Sequence, residues 1–261
     1  MSSGSIHDGS TDFRRRLARG DVLAGTFIKT PGGHAVEISG DVGLDFVVID
    51  EEHAPFDRQA IDHALMAARA ARIAALVRVA SAAPSNLLAV LDAGATGVLV
   101  PHVVSADQAR DVVASCRYVN GKRGFSNSPR AGRYGGLSLA EHVKASDAVV
   151  TVVAQIEDPE AVDRAEAIAR IEGVDALFIG RGDLAVAMGE SSPEAPRVRA
   201  AAEKICAAGR TAGKPVMVFV GSAADAQAMR AIGASAFIYS SDQGLMRQAA
   251  ARAKAEITAL T

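Results

Sequence analysis

Four ionisable residues in a row, Asp50-Glu51-Glu52-His53, follow directly on the apolar run Phe46-Val47-Val48-Ile49. A short β-branched run bounded by polar residues reads as a buried parallel strand. Charge at the end of such a strand is costly unless it is paired or used. Other apolar runs end the same way: Arg78 follows one, Gln155 and Glu157 close another, and Asp183 follows a third across Gly180-Arg181-Gly182. Together these side chains offer a general base, an anion stabiliser and a set of cation ligands. Histidine is the side-chain type suited to proton transfer at neutral pH, so His53 reads as a general base or as merely solvated in a loop. Arg78 is always charged, so it pairs with Asp50 or Glu52 or meets an anionic substrate. Gln155 and Glu157 lie two apart on a strand and share one face. Glu157 and Asp183, from neighbouring strands, are placed to share one hard, oxygen-seeking ion such as Mg²⁺ or Mn²⁺. The competing reading makes them helix-start residues, Glu157 ahead of Pro159 and Asp183 after Gly182.

These groups need a scaffold that brings strand ends together. Apolar runs at 24–28, 46–49, 74–77, 97–100, 149–156, 176–179, 216–220 and 236–239 read as eight strands. Helical periodicity or capping signals separate them, with helices expected over 57–69, 84–91, 106–118, 139–144, 159–170, 197–212, 223–232 and 244–257. Strict β/α alternation implies a parallel sheet, and eight repeats close as a single-domain α/β (β/α)₈ TIM barrel. An open doubly wound sheet is the competitor, but no G-x-G-x-x-G follows the first strand. The rhythm breaks only over 120–136, a glycine-rich loop carrying Lys122, Arg123, Arg130 and Arg133. Residues 1–12 read as a disordered leader, with the helix proper starting near Asp12 and the barrel domain spanning 13–261.

Length and composition agree. The chain has 261 residues, about the ~250 of one such barrel, and 49% are hydrophobic. A net charge of −2, with no long run of either sign, leaves no electrostatic footprint for nucleic acid or an anionic membrane. No apolar run approaches the ~20 residues of a membrane helix, and the N-terminus lacks the basic start and apolar core of a signal peptide. The only cysteines, Cys116 and Cys206, fall in expected helices and read as reduced, packed thiols, so the cytoplasm is the default location.

Taken together, IDEEHAP (49–55), VRV (77–79), LDAGATGVLVP (91–101), QIED (155–158) and FIGRGDLAVAMG (178–189) resemble the HpcH/HpaI family of class II pyruvate aldolases. The likeness runs from about Gly25 to Met246. It implies a metal-dependent lyase that reversibly cleaves a 4-hydroxy-2-oxo acid into pyruvate, or a related 2-oxo acid, and an aldehyde. Glu157 and Asp183 would hold the divalent metal (Mg²⁺, Mn²⁺ or Co²⁺), while Gln155 and the Gly182 backbone would contact the substrate. Arg78 would stabilise the enolate oxygen and His53 would act as base through a metal-associated water. Asp92 would raise the basicity of that histidine, and Asp50 would orient the arginine and the histidine. The resemblance also implies a homo-hexamer, a trimer of dimers, whose last helix packs on a neighbouring subunit. Departures from the family are Glu51, where glycine is usual, Arg181, Lys29 and most of the 120–136 loop, which would shape the aldehyde pocket. A related lyase or decarboxylase acting on oxaloacetate or an acyl-CoA ester is the second reading, with the loop cations available for a pyrophosphate. A Schiff-base aldolase using Lys29 or Lys214 and a non-catalytic barrel rank below these.

Overall fold

The computed structural model describes residues 8–260. Its eight strands are β1 (Leu23–Ile28), β2 (Phe46–Asp50), β3 (Ala74–Arg78), β4 (Gly97–Val100), β5 (Thr151–Ile156), β6 (Ala176–Ile179), β7 (Val216–Val220) and β8 (Ala236–Ser241). All neighbours pair in parallel and β1 closes on β8, so the expected (β/α)₈ barrel is the fold. Among the described residues twelve helices surround it: α1 (Asp8–Ala18), α2 (His34–Asp41), α3 (Arg58–Ala71), α4 (Pro84–Asp92), α5 (Ala106–Cys116), α6 (Leu139–Val149), α7 (Pro159–Val162), α8 (Ala165–Ala169), α9 (Arg181–Ala187), α10 (Pro196–Ala212), α11 (Ala223–Ile232) and α12 (Asp242–Thr258).

Alternation along each strand divides the core in two. Val47 and Ile49 of β2 point outward, into the layer between barrel and helices. Phe46 and Val48 point inward, to a second cluster with Phe27, Ala74, Leu76, Val153 and Phe178. Successive side chains of a strand take opposite faces, so the inward series continues to Asp50 on β2, Arg78 on β3, Gln155 on β5 and Lys29 just beyond β1. Parity alone therefore carries four polar side chains into the top of the barrel. At the other end Phe13 and Leu17 of α1 plug the lumen, with the Phe13 and Phe46 rings 5.2 Å apart.

Several boundaries differ from expectation. The helix expected from near Asp12 already runs from Asp8, and residues 1–7 of the expected leader lie outside the described residues. The single helix expected over 159–170 is two short ones, α7 and α8. The 120–136 loop contains one 3₁₀ segment, Arg130–Gly135, in which Arg133 and Tyr134 adopt left-handed φ values of 53° and 56°. No described helix is long and apolar enough to cross a membrane. Cys116 and Cys206 are buried and free, and burial pushes their thiols up to about 12 and about 11.

Candidate active site at the carboxyl end of the barrel

The inward series ends in an ionic cluster centred on Asp50. This carboxylate is fully buried and takes a bidentate grip from Arg78, Nε to Oδ1 at 2.9 Å and Nη2 to Oδ2 at 2.7 Å. The pairing follows from register, because Asp50 stands opposite Arg78 in the β2–β3 ladder. Lys29 Nζ adds a second cation 2.8 Å from Oδ2, and the His53 backbone N–H donates to Oδ1 at 3.2 Å. Burial works against the Asp50 charge, yet the hydrogen bonds and charge of Arg78 and Lys29 hold its pKa below the ordinary value. The Arg78 guanidinium also lies 4.6 Å from the centre of the Phe27 ring, which confines it on a second side. Asp50 thus orients both the arginine and the turn that carries His53.

His53 projects from that turn with its side chain 51% exposed, and its Nε2 lies 3.6 Å from Glu52 Oε2. Glu52 leans the other way too, 3.4 Å from Arg78 Nε, and burial raises its pKa. Glu51, which had no assigned role, faces away from this cluster. Its Oε2 accepts from the Ala80 N–H at 3.1 Å and from Asn86 Nδ2 at 2.9 Å, so it latches the loop after Arg78.

A second, more acidic cluster lies on the β4–β6 side. Glu157 is buried and accepts from Gln155 Nε2 and from the His102 backbone N–H, the latter at 2.8 Å. The His102 ring, with Nδ1 3.3 Å away, also favours the carboxylate, but burial outweighs it and both hydrogen bonds. The nearby charge of Asp183 adds to burial, and the carboxyl is pushed up to about 7. Gly180 is required here: a Cβ at this position would lie 2.5 Å from Glu157 Cβ. Neither Glu157 nor Asp183 is an N-cap, although Asp183 does stand at a helix start, in the first turn of α9. The residue that precedes α7 is Asp158, whose side chain makes no cap bond, and α9 starts from Gly180. Asp183 is exposed in the first turn of α9, one residue after the exposed Gly182.

The donor chemistry fits a divalent cation. Glu52, His102 and Glu157 each present a ligand atom, all within 4.8 Å of one another. Two buried oxygens beside them, Glu52 Oε2 and Gln155 Oε1, have no hydrogen-bond partner. Buried acceptors in that state are suited to a ligand that brings charge or donors. Sequence reasoning missed His102. The available signal was its place just past a strand, the same position that singled out the other site residues.

Asp92 lies apart from His53 within one chain. It ends α4, and α4 runs back from the mouth toward the start of β4, so its last residue falls at the amino end of the barrel. Its carboxylate accepts from Arg123 Nη2 at 2.8 Å rather than lying beside His53. The rest of the 120–136 loop is anchored in the same region. Arg130 donates to the Ala93 carbonyl at 2.6 Å and pairs with Asp62, and Lys122 lies 3.6 Å from Asp111. Three of the four loop cations are thus engaged within the chain, which weakens the CoA reading. Arg181 is likewise occupied, with Nη2 2.6 Å from Asp225 and 2.7 Å from the Phe219 carbonyl, tying the β6–α9 turn to the β7–α11 turn.

Comparison with known proteins agrees with this architecture. The chain is 36% identical over 239 residues to a 5-keto-4-deoxy-D-glucarate aldolase of Klebsiella pneumoniae, covering 91% of this chain and 93% of that one. A crystal structure of an HpcH/HpaI aldolase/citrate lyase family protein from Burkholderia cenocepacia superposes with a TM-score of 0.90 at 31% identity, over 95% of this chain and 99% of that one. The citrate synthase SbnG is also similar, with a TM-score of 0.84 and 28% identity over 95% and 98% of the two chains. The profile of the HpcH/HpaI aldolase/citrate lyase family matches residues 24–249, and the chain belongs to that family.

Proposed function

We propose that the chain is a metal-dependent aldolase that reversibly cleaves a 4-hydroxy-2-oxo acid into an aldehyde and pyruvate, or a related 2-oxo acid such as hydroxypyruvate. The observation that carries this reading is the buried Arg78 guanidinium, locked by Asp50 at 2.7 and 2.9 Å at the mouth of the barrel. The aldolase name of a relative 36% identical over most of the chain supports the same chemistry.

Cleavage removes the proton of the 4-hydroxyl, breaks the C3–C4 bond and leaves an enolate whose charge sits on the former keto oxygen. His53 takes that proton, and Glu52, 3.6 Å from its Nε2, stabilises the imidazolium that results. Arg78 faces the enolate oxygen with a cation that needs no reorganisation, because Asp50 and Phe27 already confine it. Gln155 and the Gly182 backbone hold the 2-oxo acid, and a proton returned to C3 completes pyruvate. Glu157 and Asp183 would hold a divalent cation, Mg²⁺, Mn²⁺ or Co²⁺, which supplies Lewis-acid stabilisation of the same oxyanion when bound.

The assembly we propose is a homo-hexamer built as a trimer of dimers, with α12 packed on a neighbouring subunit. Support comes from α12 itself, which has no buried residue and exposes Leu245, Met246 and Ile257. In such an assembly Asp92 can support only the His53 of another copy, since its own lies at the opposite end of the barrel. Two buried, unpaired thiols fit a reducing compartment, the cytoplasm. The balanced net charge of −2 fits a small-molecule substrate rather than nucleic acid or membrane.

The test is a screen of aldehyde acceptors with pyruvate and hydroxypyruvate donors, read by mass spectrometry. The expected result is a 4-hydroxy-2-oxo acid from at least one aldehyde. A screen without any such adduct, but with turnover of oxaloacetate or an acyl-CoA ester, would replace this reading by the second one.

A further inference from the structure

The residue after Pro101 combines three features that no structural role requires together. His102 takes a left-handed backbone, with φ 53°, which is uncommon outside glycine and persists only where the surroundings impose it. That conformation turns two parts of one residue toward the same carboxylate. The His102 N–H donates to Glu157 Oε1 at 2.8 Å, and the ring folds back so that Nδ1 lies 3.3 Å from that same oxygen. The other ring nitrogen faces Glu52, with Nε2 4.0 Å from Oε1. Two donors bound at about 2.1 Å with 90–110° between them lie roughly 3.0–3.4 Å apart, so the Nδ1–Glu157 spacing matches a pair that shares one ion. A second observation lies beside it: Gln155, whose Nε2 donates to Glu157, is fully buried, and its Oε1 has no hydrogen-bond partner.

We propose that His102 is a nitrogen ligand of the cation held at Glu157, and that it biases the site toward Mn²⁺ and Co²⁺ over Mg²⁺. The inference rests on the metal-dependent reading above and adds to it a choice of ion. Carboxylates alone favour hard ions, and Mg²⁺ releases its waters reluctantly. An imidazole adds little for Mg²⁺ but strengthens binding in the order Mn²⁺, Fe²⁺, Co²⁺. Ligation needs the neutral ring and replaces the 3.1 Å hydrogen bond that Nδ1 makes with Asp158.

The test uses full-length protein stripped with EDTA and titrated calorimetrically with Mg²⁺, Mn²⁺ or Co²⁺ alone, as wild type and as His102→Asn. Asparagine tolerates the left-handed backbone, so the N–H to Glu157 is kept while the imidazole is lost. The expected result is a Co²⁺ affinity lower by about 10–100-fold in the variant, with Mg²⁺ affinity within about threefold of wild type. Pulsed EPR of bound Mn²⁺ should show nitrogen modulation in wild type and none in the variant. Equal losses for Mg²⁺ and Co²⁺, or nitrogen modulation absent from wild type, would overturn the proposal and leave His102 as a support for Glu157. Wild-type protein that binds none of the three ions would overturn the metal-dependent reading as well.

Discussion

Two carboxylates at opposite ends of the barrel meet opposite company. Asp175, at the amino end just before β6, receives Arg14 at 2.8 and 3.1 Å, Arg117 at 3.1 Å and the Val152 N–H at 2.8 Å. Glu157, at the carboxyl end, meets one amide, one backbone N–H, the His102 ring at 3.3 Å and the charge of another carboxylate, and burial still raises its pKa to about 7. A half-buried ion pair with its hydrogen bonds made holds the structure together, and breaking it is costly. A buried carboxylate whose burial outweighs its partners stores unfavourable free energy that a bound ion can relieve. One end of the barrel is organised for stability and the other for binding charge.

That contrast can be broken by mutation. Glu157→Gln should reduce aldolase turnover by at least about 10³-fold, since the principal cation ligand is gone, while melting temperature stays level or rises. A parallel loss of melting temperature would show that Glu157 is a structural group like Asp175. His53→Ala should slow the reaction at neutral pH by about 10²–10⁴, the usual worth of a general base, with no loss of secondary structure by circular dichroism. Arg78 is less clean as a target, because truncation would leave the fully buried Asp50 with Lys29 as its one remaining cation partner among the described residues. Arg78→Lys keeps the charge and loses the bidentate geometry, so kcat should fall far more than thermal stability does.

Acidification should expose the same asymmetry. In the metal-free protein the Glu157 carboxyl is protonated below about 7, so a divalent ion must displace a proton there. Metal affinity should therefore fall by about tenfold per pH unit below that point and level off above it. The metal-free fold has the opposite trend from this group, since a carboxyl raised in the folded state loses stabilisation as pH climbs from its unfolded value toward about 7. Calorimetric titration at stepped pH checks the first statement, and denaturant midpoints in EDTA check the second.

At the amino end, Asp175→Ala should cost about 2 kcal/mol in urea denaturation, below the ~3–5 of a fully buried pair because the Arg14 side chain is 27% exposed. Activity should change little. The smallest expected effect belongs to Glu51→Ala, which removes two hydrogen bonds that latch the loop after Arg78 and should cost about 1 kcal/mol.

Much of this was legible before the structure. Strand parity is a local property, so Asp50, Arg78, Gln155 and Glu157 could be placed at one mouth from apolar runs and the polar residues that end them. Asp50–Arg78 pairing was among the stated alternatives and is observed at 2.7 Å, with Glu52 also within 3.4 Å of Arg78. What was not legible depends on chain reversal and on backbone conformation. Asp92 lies in a family motif, but helix direction sends it to the far end, where Arg123 takes it. His102 matters because of a left-handed φ that composition does not announce. Lys29 stood out as an unexpected residue, yet its link to Asp50 depends on β1 and β2 being neighbours in register. Glu51 and Arg181 turn out to fasten loops, which only three-dimensional proximity reveals.

The most direct test of the central claim, that this mouth stabilises a pyruvate enolate with the help of a divalent ion, is hydrogen–deuterium exchange at C3 of pyruvate in D₂O, followed by proton NMR with and without EDTA. The account predicts enzyme-dependent exchange that stops on chelation and returns with Mn²⁺, Co²⁺ or Mg²⁺. Exchange that persists in EDTA but is abolished by borohydride would contradict it, and would move the chemistry to a lysine imine.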